Sequence, residues 1–223
     1  RACIYSETHH VDISGEPEYL EKSQLRYDEP AREKGLYIVG ACGFDSIPAD
    51  LGHVFLAKQM GGDVNSVETY LSIEMPRNVK GSVINFATYQ SAIHGVANSD
   101  ILRKTRKLMY PEKLPTLKPK LGRRGMFHYS NIVKSYCIPF LGSDPSVMRR
   151  SQRSFYHKEG KRPTQIGSYA EIPPLFAMLF LSLFGLLFGI LAHFRLGRTL
   201  LEKYPRLFTF GYVSKEEPAL ETI

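Results

Sequence analysis

The chain has 223 residues, of which 43% are hydrophobic and 23% charged, so it can bury a core as one large domain or two small ones and is not a disordered chain. Three widely spaced cysteines, Cys3, Cys42 and Cys137, with no C-x-x-C pair, argue against a disulfide framework or a zinc site and suit reduced thiols. The net charge of +7 is uneven: residues 1–100 hold 8 Lys and Arg against 14 Asp and Glu, residues 101–150 hold 12 against 2, and residues 151–223 hold 9 against 6.

The first residue is Arg1, and Arg1-Ala2-Cys3-Ile4 carries no helix cap, so the chain is expected to start inside an element of a longer protein. His9 to Ser14 is β-compatible, Gly15-Glu16-Pro17 turns the chain, and Glu18 to Lys34 reads as a helix broken at Pro30 and stopped by Gly35. Leu36 to Ala41 is apolar on both faces, as buried parallel strands are. A glycine loop then leads to a helix over Ile47 to Met60, with Ser46 as N-cap, Pro48 in the first turn and Gly61-Gly62 as stop. Strand, turn and helix in this order predict an α/β fold.

Val67 to Met75 alternates and reads as a strand. Ser82 to Met109 predicts one long, partly amphipathic helix, residues 111–125 a basic loop, and Tyr136 to Phe140 a short strand followed by a loop at Gly142 to Pro145. Ile172 to Phe194 contains no Asp, Glu, Lys or Arg over 23 residues. A helix of that length spans about 34 Å at roughly 1.5 Å per residue, close to a hydrocarbon core of roughly 30 Å. Pro173-Pro174 suits its first turn, and Gly185 and Gly189 have the spacing of close membrane-helix approach, although glycine is common in such helices anyway. Arg149, Arg150, Arg153, Lys158, Lys161 and Arg162 stand before the run, and Arg195, Arg198, Lys203 and Arg206 after it. Basic flanks on both sides favour a re-entrant hairpin or an in-plane helix over a single span. Phe180, Phe184, Phe188 and Phe194 would add bulk among acyl chains. The basic block of residues 101–150 suits the same anionic surface; with no RNP-like strand or helix-turn-helix signature, nucleic acid is not an expected partner.

Candidate site residues cluster at the turns. Asp45 and Ser46 sit where a predicted strand gives way to a helix, the place where ligands gather in open α/β sheets, although a cap there has the same signature. Asp12 and Glu16 follow the preceding strand and could meet a ribose or a polar substrate group, or simply brace the turn. Asp144, Arg150 and Ser151 could form a second polar cluster, an arginine fork suiting a carboxylate or a phosphate; a charge run beside the membrane is the plainer reading. Thr88 and Ser91 lie three apart on the predicted long helix and so on one face. The seven histidines show no metal-ligand spacing, and no metal is expected; there is no G-x-S-x-G.

Gly43-Phe44-Asp45-Ser46-Ile47-Pro48-Ala49-Asp50-Leu51-Gly52 resembles the saccharopine dehydrogenase-like oxidoreductases, in particular their membrane-associated animal branch. Asp12-Ile13-Ser14-Gly15-Glu16, the segment Gly142 to Ser151, and Phe210 to Lys215 resemble further segments of that family in the same order. Thr88 and Ser91 match in part, with Ala87 where the family tends to have glycine. The resemblance implies that residues 1–62 are the remainder of a Rossmann-like dinucleotide-binding domain. It implies that 63–171 are an α+β second domain for substrate or dimerisation, that 172–194 are a hydrophobic membrane segment interrupting it, and that 195–223 return to it.

The Gly-rich turn that grips a pyrophosphate is absent from these residues, so NAD or NADP is expected in the longer parent and no tight dinucleotide binding in this piece alone. Asp12, Glu16, Gly43, Phe44, Asp45, Ser46, Thr88, Ser91, Asp144, Arg150 and Ser151 are the expected crevice residues; no catalytic residue is assigned. The resemblance further implies an intracellular, membrane-associated enzyme of lipid metabolism at a lipid droplet or mitochondrion, with a small-molecule or lipid-like substrate. A homodimer is a further expectation. The alternative is a non-catalytic membrane-binding or scaffold protein on an enzyme-like fold.

Overall fold

The computed structural model describes residues 1–73, 84–172 and 175–215, with side chains for all of these except 175–182. In chain order the elements are α1 (Ala2–Tyr5), β1 (His10–Val11), α2 (Pro17–Glu33), β2 (Ile38–Val39), α3 (Ile47–Met60), β3 (Ser66–Leu71), α4 (Phe86–Ala97) and α5 (Ser99–Met109). They continue with β4 (His128–Ser130), β5 (Ser135–Pro139), α6 (Asp144–Glu159), β6 (Gln165–Ile172), α7 (Leu175–His193), α8 (Arg195–Lys203) and α9 (Pro205–Phe208). The fold is mixed α/β and divides into two compact units, Arg1–Leu71 with Ile101–Ile172, and Ser72–Asp100 with Pro173–Ile223.

In the first unit, β1 and β2 pair in parallel, His10 opposite Ile38 and Val11 opposite Val39, with α2 as the connection. The strands are shorter than the apolar pattern predicts, and Val11, Ile13, Tyr37 and Val39 are exposed rather than buried. Helix α2 begins at Pro17 and runs through Pro30 instead of breaking there. Pro30 lies in the last turn, so its missing N–H forfeits one bond of a helix that ends at Glu33, with Gly35 in the left-handed region (φ 64°) beyond it. Gly40 is confined by packing: a Cβ there would stand 3.3 Å from Asp12 Oδ1 and nearer still to the Leu20 side chain.

The second sheet has the order β3-β6-β5-β4, with β3 and β6 parallel and the other pairs antiparallel. Helix α6 packs on β6 through the fully buried Met148, whose sulfur receives the Ser168 hydroxyl at 3.9 Å. Neither α6 nor β6 stands out in the sequence. Asp144–Glu159 is polar enough to read as a charge run, and Gln165–Ile172 carries Gln, Gly, Ser and Glu in a central strand. Helix α6 is nevertheless well bounded, by Pro145 in its first turn and left-handed Gly160 (φ 64°) at its end. Helix α3 has the predicted bounds, Ile47–Met60, and ends on left-handed Gly61.

The predicted long helix from Ser82 to Met109 is two helices, α4 and α5, parted at Asn98; Ser82 itself lies outside the described residues, as do Glu74 and Met75 of the predicted third strand. Asn98 caps α4, its N–H bonding back to His94 O at 2.9 Å. The compositional clue was the switch from an apolar α4 to a charged α5.

In the second unit, Tyr89 and Ile93 of α4, Ala192 of α7, Leu201 of α8 and Val213 form a buried core, with Phe188, Leu191 and Phe208 packed against it. The corner from α7 to α8 depends on Gly197, where a Cβ would collide with the backbone of Leu191. Arg198 closes that corner, its guanidinium donating to Ala192 O at 2.9 Å and His193 O at 3.2 Å, the orphan carbonyls of α7. Leu183, Leu186, Leu187 and Ile190, spaced three and four apart, form an exposed apolar stripe along α7. Among the described residues no helix is long and apolar enough to cross a membrane. Pro173 and Pro174, expected in the first turn of the apolar run, and the side chain of Phe180 lie outside the described residues.

Glu21 of α2 is 1% exposed in the first unit, and Arg106 of α5 meets it with a fork, Nε and the outer nitrogen donating to both carboxylate oxygens at 2.8–3.1 Å. Ser146 of α6 donates to the same carboxylate at 2.5 Å. Removing the fork strands a buried charge. Arg106→Ala is expected to cost about 3 kcal/mol of stability, measured by urea denaturation, while Arg32→Ala, whose partner Glu29 is exposed, costs under about 1 kcal/mol.

Candidate functional site

Three of the sequence motifs meet in the first unit. The loop after β1 supplies Asp12 to Glu16, the loop after β2 supplies Gly43 to Ser46, and the start of α6 supplies Gly142 to Asp144.

Asp12 receives the Ser14 N–H at 2.9 Å and faces His10 Nε2 at 3.0 Å. Partial burial pushes its pKa up, but hydrogen bonds from Ser14 and His10 prevail and hold the carboxyl below its ordinary range. Glu16 precedes α2 as its N-cap residue, without a side-chain cap bond, and its charge acts on Asp45. Gly15 lets that loop pass: a Cβ there would stand 3.0 Å from Asp45 Oδ2.

Asp45 is the hub. The Ser143 N–H donates to its two carboxylate oxygens at 3.2 and 3.4 Å, and the Ser143 hydroxyl donates to its backbone carbonyl. On the other side, a Cβ on Gly142 would stand 2.6 Å from Asp45 Oδ1, so only glycine leaves room for the carboxylate. Ser46 is 1% exposed and does not cap α3; its hydroxyl lies 2.6 Å from the Ser143 hydroxyl and also bonds the Asp45 carbonyl. The expected N-cap is thus a tie between the β2–α3 loop and α6. Phe44 is exposed, and Gly43 packs beside the Ile13 side chain.

Burial pushes the Asp45 carboxyl above its ordinary range, against the lowering effect of the Ser143 donors. Asp144 is pushed further, up to about 6, by burial first and then by the Asp45 charge. Two half-buried carboxyls in mutual reach cannot both ionise freely, so Asp144 keeps its proton up to about pH 6, well above an ordinary carboxyl. Asp144 Oδ1 is buried without a hydrogen-bond partner among the described residues. Such a pair can give a proton to, or take one from, a polar group that reaches it.

Asp144 and Ser151, about two turns apart on one face of α6, both meet the β2–α3 segment, while Arg150 turns to α2. Asp144 joins Asp45; Ser151 donates to Asp50 of α3 at 2.8 Å; Arg150 donates to Gln24 of α2 at 2.8 Å. The buried contact of α3 with α6 is completed by His53, whose Nδ1 lies 3.1 Å from the Gln152 amide. Thr88 is exposed and Ser91 half-buried on α4, in the second unit. Ser143 was not singled out by sequence reasoning, although it stood inside a quoted motif; its signal was its place between a glycine and an Asp-Pro helix start.

A dinucleotide needs a helix N-terminus free to take its pyrophosphate. Here Glu16 and Glu18 stand at the start of α2, Asp45 and Asp50 at the start of α3, and Asp144 at the start of α6. These carboxylates would repel a pyrophosphate, so these three helix starts do not fit that part of the cofactor. They fit hydroxyl and amide groups instead.

The whole chain aligns at 42% identity with a protein of Pongo abelii named saccharopine dehydrogenase-like oxidoreductase, covering 52% of it. It aligns at 34% over 98% of its length with a lipid droplet localized protein of Caenorhabditis elegans, again 52% of that protein. An Arabidopsis thaliana relative named "Probable mitochondrial saccharopine dehydrogenase-like oxidoreductase" is 33% identical over all of this chain and 53% of its own. The chain thus spans about half the length of the curated relatives it matches. No family model and no solved structure matches it.

The Asp144 carboxyl sits above its unfolded value, so the fold binds this proton more tightly than the unfolded chain does. Its favourable contribution is complete below about pH 4 and is lost as pH rises through about 6. Asp144→Asn removes that loss. The variant should gain about 2 kcal/mol relative to the parent between pH 4 and pH 7 in urea titrations. A difference that stays constant with pH would contradict the assignment.

Proposed function

We infer the function from one premise: the chain belongs to the saccharopine dehydrogenase-like oxidoreductase family, as its full-length alignments indicate. The reading is an NAD(P)-dependent oxidoreductase working at a lipid surface on a small or lipid-like substrate, with a role in lipid metabolism. The observation that carries it is the convergence of three family-like motifs on Asp45, Ser143 and Asp144. Asp12, Glu16, Gly43, Phe44, Asp45, Ser46 and Asp144 then wall the crevice where the reacting group lies. The carboxyl pair is the reservoir for the proton that must accompany hydride transfer, and the dinucleotide supplies the hydride when bound.

The pyrophosphate is held elsewhere in the whole protein, by a Rossmann-like Gly-rich turn. The exposed apolar side chains of Val11, Ile13, Tyr37 and Val39 on a sheet of only two described strands support that reading, since such a sheet is normally extended or covered. Thr88, Ser91, Arg150 and Ser151 remain proposed contributors without an assigned contact to substrate.

Lipid-surface docking is proposed through the apolar stripe of α7, lying in the plane of the surface as a re-entrant or interfacial element. The stripe is exposed, and Arg195 and Lys203 follow it, suited to anionic headgroups. The worm relative's name supports a lipid droplet and the plant relative's a mitochondrial site. The acidic βα turns favour a second reading, a non-catalytic scaffold on the same surface.

NADPH titration separates these readings. The whole protein should quench NADPH fluorescence saturably and oxidise it with lipid-extract carbonyl or enoyl substrates, while the 223-residue chain alone shows neither effect. A whole protein without saturable binding of NADPH or NADH leaves the scaffold reading. For docking, Leu186→Glu with Ile190→Glu should remove most of the chain from floated lipid droplets or vesicles. Unchanged flotation would count against α7.

A further inference from the structure

We propose that the first unit holds a binding site for a phosphate-bearing ligand between α5 and α6, walled by Arg103, Arg106, Lys107, Arg149, Arg150 and Arg153. The inference is independent of the oxidoreductase reading.

The site is a cleft of about 340 Å³, within the range of small-ligand pockets. Its cationic walls follow from helix geometry. Arg103, Arg106, Lys107 and Tyr110 recur at three- and four-residue steps from α5 to the residue after it; Ser146, Arg149, Arg150 and Arg153 do the same on α6. Each set forms one face, and the two faces line the same cleft. Six cationic side chains meet there with one carboxylate, Glu21, and that carboxylate is already gripped by Arg106 and Ser146.

Cations crowded on facing helices repel one another, and Arg149 stands exposed on the cleft wall with the Arg106 charge acting on it. An anion between the helices removes that repulsion. Planar guanidinium forks match phosphate oxygens better than a single carboxylate uses them, and several forks around one space suit a group with two negative charges.

Two side chains are already set for such a ligand. Arg153 lies over the Tyr110 ring at 4.2 Å and donates to Glu112 O at 3.1 Å, so its direction is fixed. Arg150 is fixed by Gln24. Tyr110 lines the cleft, and its hydroxyl is buried and has no hydrogen-bond partner among the described residues. A buried hydroxyl without an acceptor is costly, and a phosphate oxygen would supply one.

The phosphate can belong to a soluble compound or to a lipid headgroup. Inorganic pyrophosphate and vesicles of phosphatidylcholine with and without phosphatidate are the probes, applied to the 223-residue chain. Pyrophosphate should raise the thermal midpoint saturably at constant ionic strength, and Arg149→Gln or Arg153→Gln should each weaken binding about tenfold. Lys118→Gln with Lys120→Gln, equal or greater charge loss outside the cleft, should change it less than about twofold. Lys107→Gln, at the exposed rim, tests the site again should an arginine variant fail to fold.

Loss of both pyrophosphate binding and the phosphatidate-dependent part of vesicle binding in the cleft variants assigns a lipid headgroup. Loss of pyrophosphate binding alone assigns a soluble phosphate, and loss of the phosphatidate-dependent part alone a headgroup. The proposal is overturned when neither probe binds, or when cleft and control variants weaken binding equally.

Discussion

A carboxylate taken out of water must be met by donors or keep its proton, and Asp45 does some of each. Its donors come from the start of α6, the Ser143 N–H and the neighbouring Asp144 side chain. Because Asp45 ends the loop after β2, that contact joins two segments 98 positions apart. Glycines at 15 and 142 are needed on either side because a methyl group at either position would press on the same carboxylate. Ser46 gives up its role as a helix cap to complete the joint. Gly15, Ser46, Gly142 and Ser143 are thus gathered around one half-buried acid.

Helix α6 carries that joint at its start and a different electrostatic environment along its side. At its N-terminus, Asp144 lies beside Asp45, and both carboxyls hold a proton more tightly than ordinary ones. One to two turns later, Arg149, Arg150 and Arg153 face α5 and a cluster of further cations. About two turns after Asp144, Ser151 and Gln152 bind Asp50 and His53 of α3. A single helix thus carries an acidic joint at its start and a basic cleft along its side. The excess charge of residues 101–150 is in part the sequence image of that cleft rather than only a coating for a membrane surface.

Local grammar was legible. Proline in the first turn and glycine after the last gave α3 its bounds, because helix ends are set by residues with narrow or unusual backbone preferences. The strands β3 and β5 followed from their apolar pattern. Helix α6 and strand β6 were hidden because their buried surface is polar: Ser146, Gln152 and Ser168 are satisfied by partners far away in sequence. The exposure of β2 was hidden for the opposite reason, since an apolar run does not reveal whether anything covers it. Of the candidate site, Asp12, Glu16, Asp45 and Ser46 could be named from their turns. Their meeting with Ser143 and Asp144 could not, because nothing within ten residues of either segment encodes a contact across the chain.

Asp144, beside Asp45, keeps its proton up to about pH 6. Carbon-13 titration of the aspartate carboxyls tests it most directly, in the parent chain and in Asp45→Asn. The account predicts that Asp144 titrates near 6 in the parent and falls toward the ordinary carboxyl range once the neighbouring charge is gone, with burial keeping it from reaching that range. An Asp144 that titrates near 4 in the parent, or is unmoved by Asp45→Asn, would contradict it.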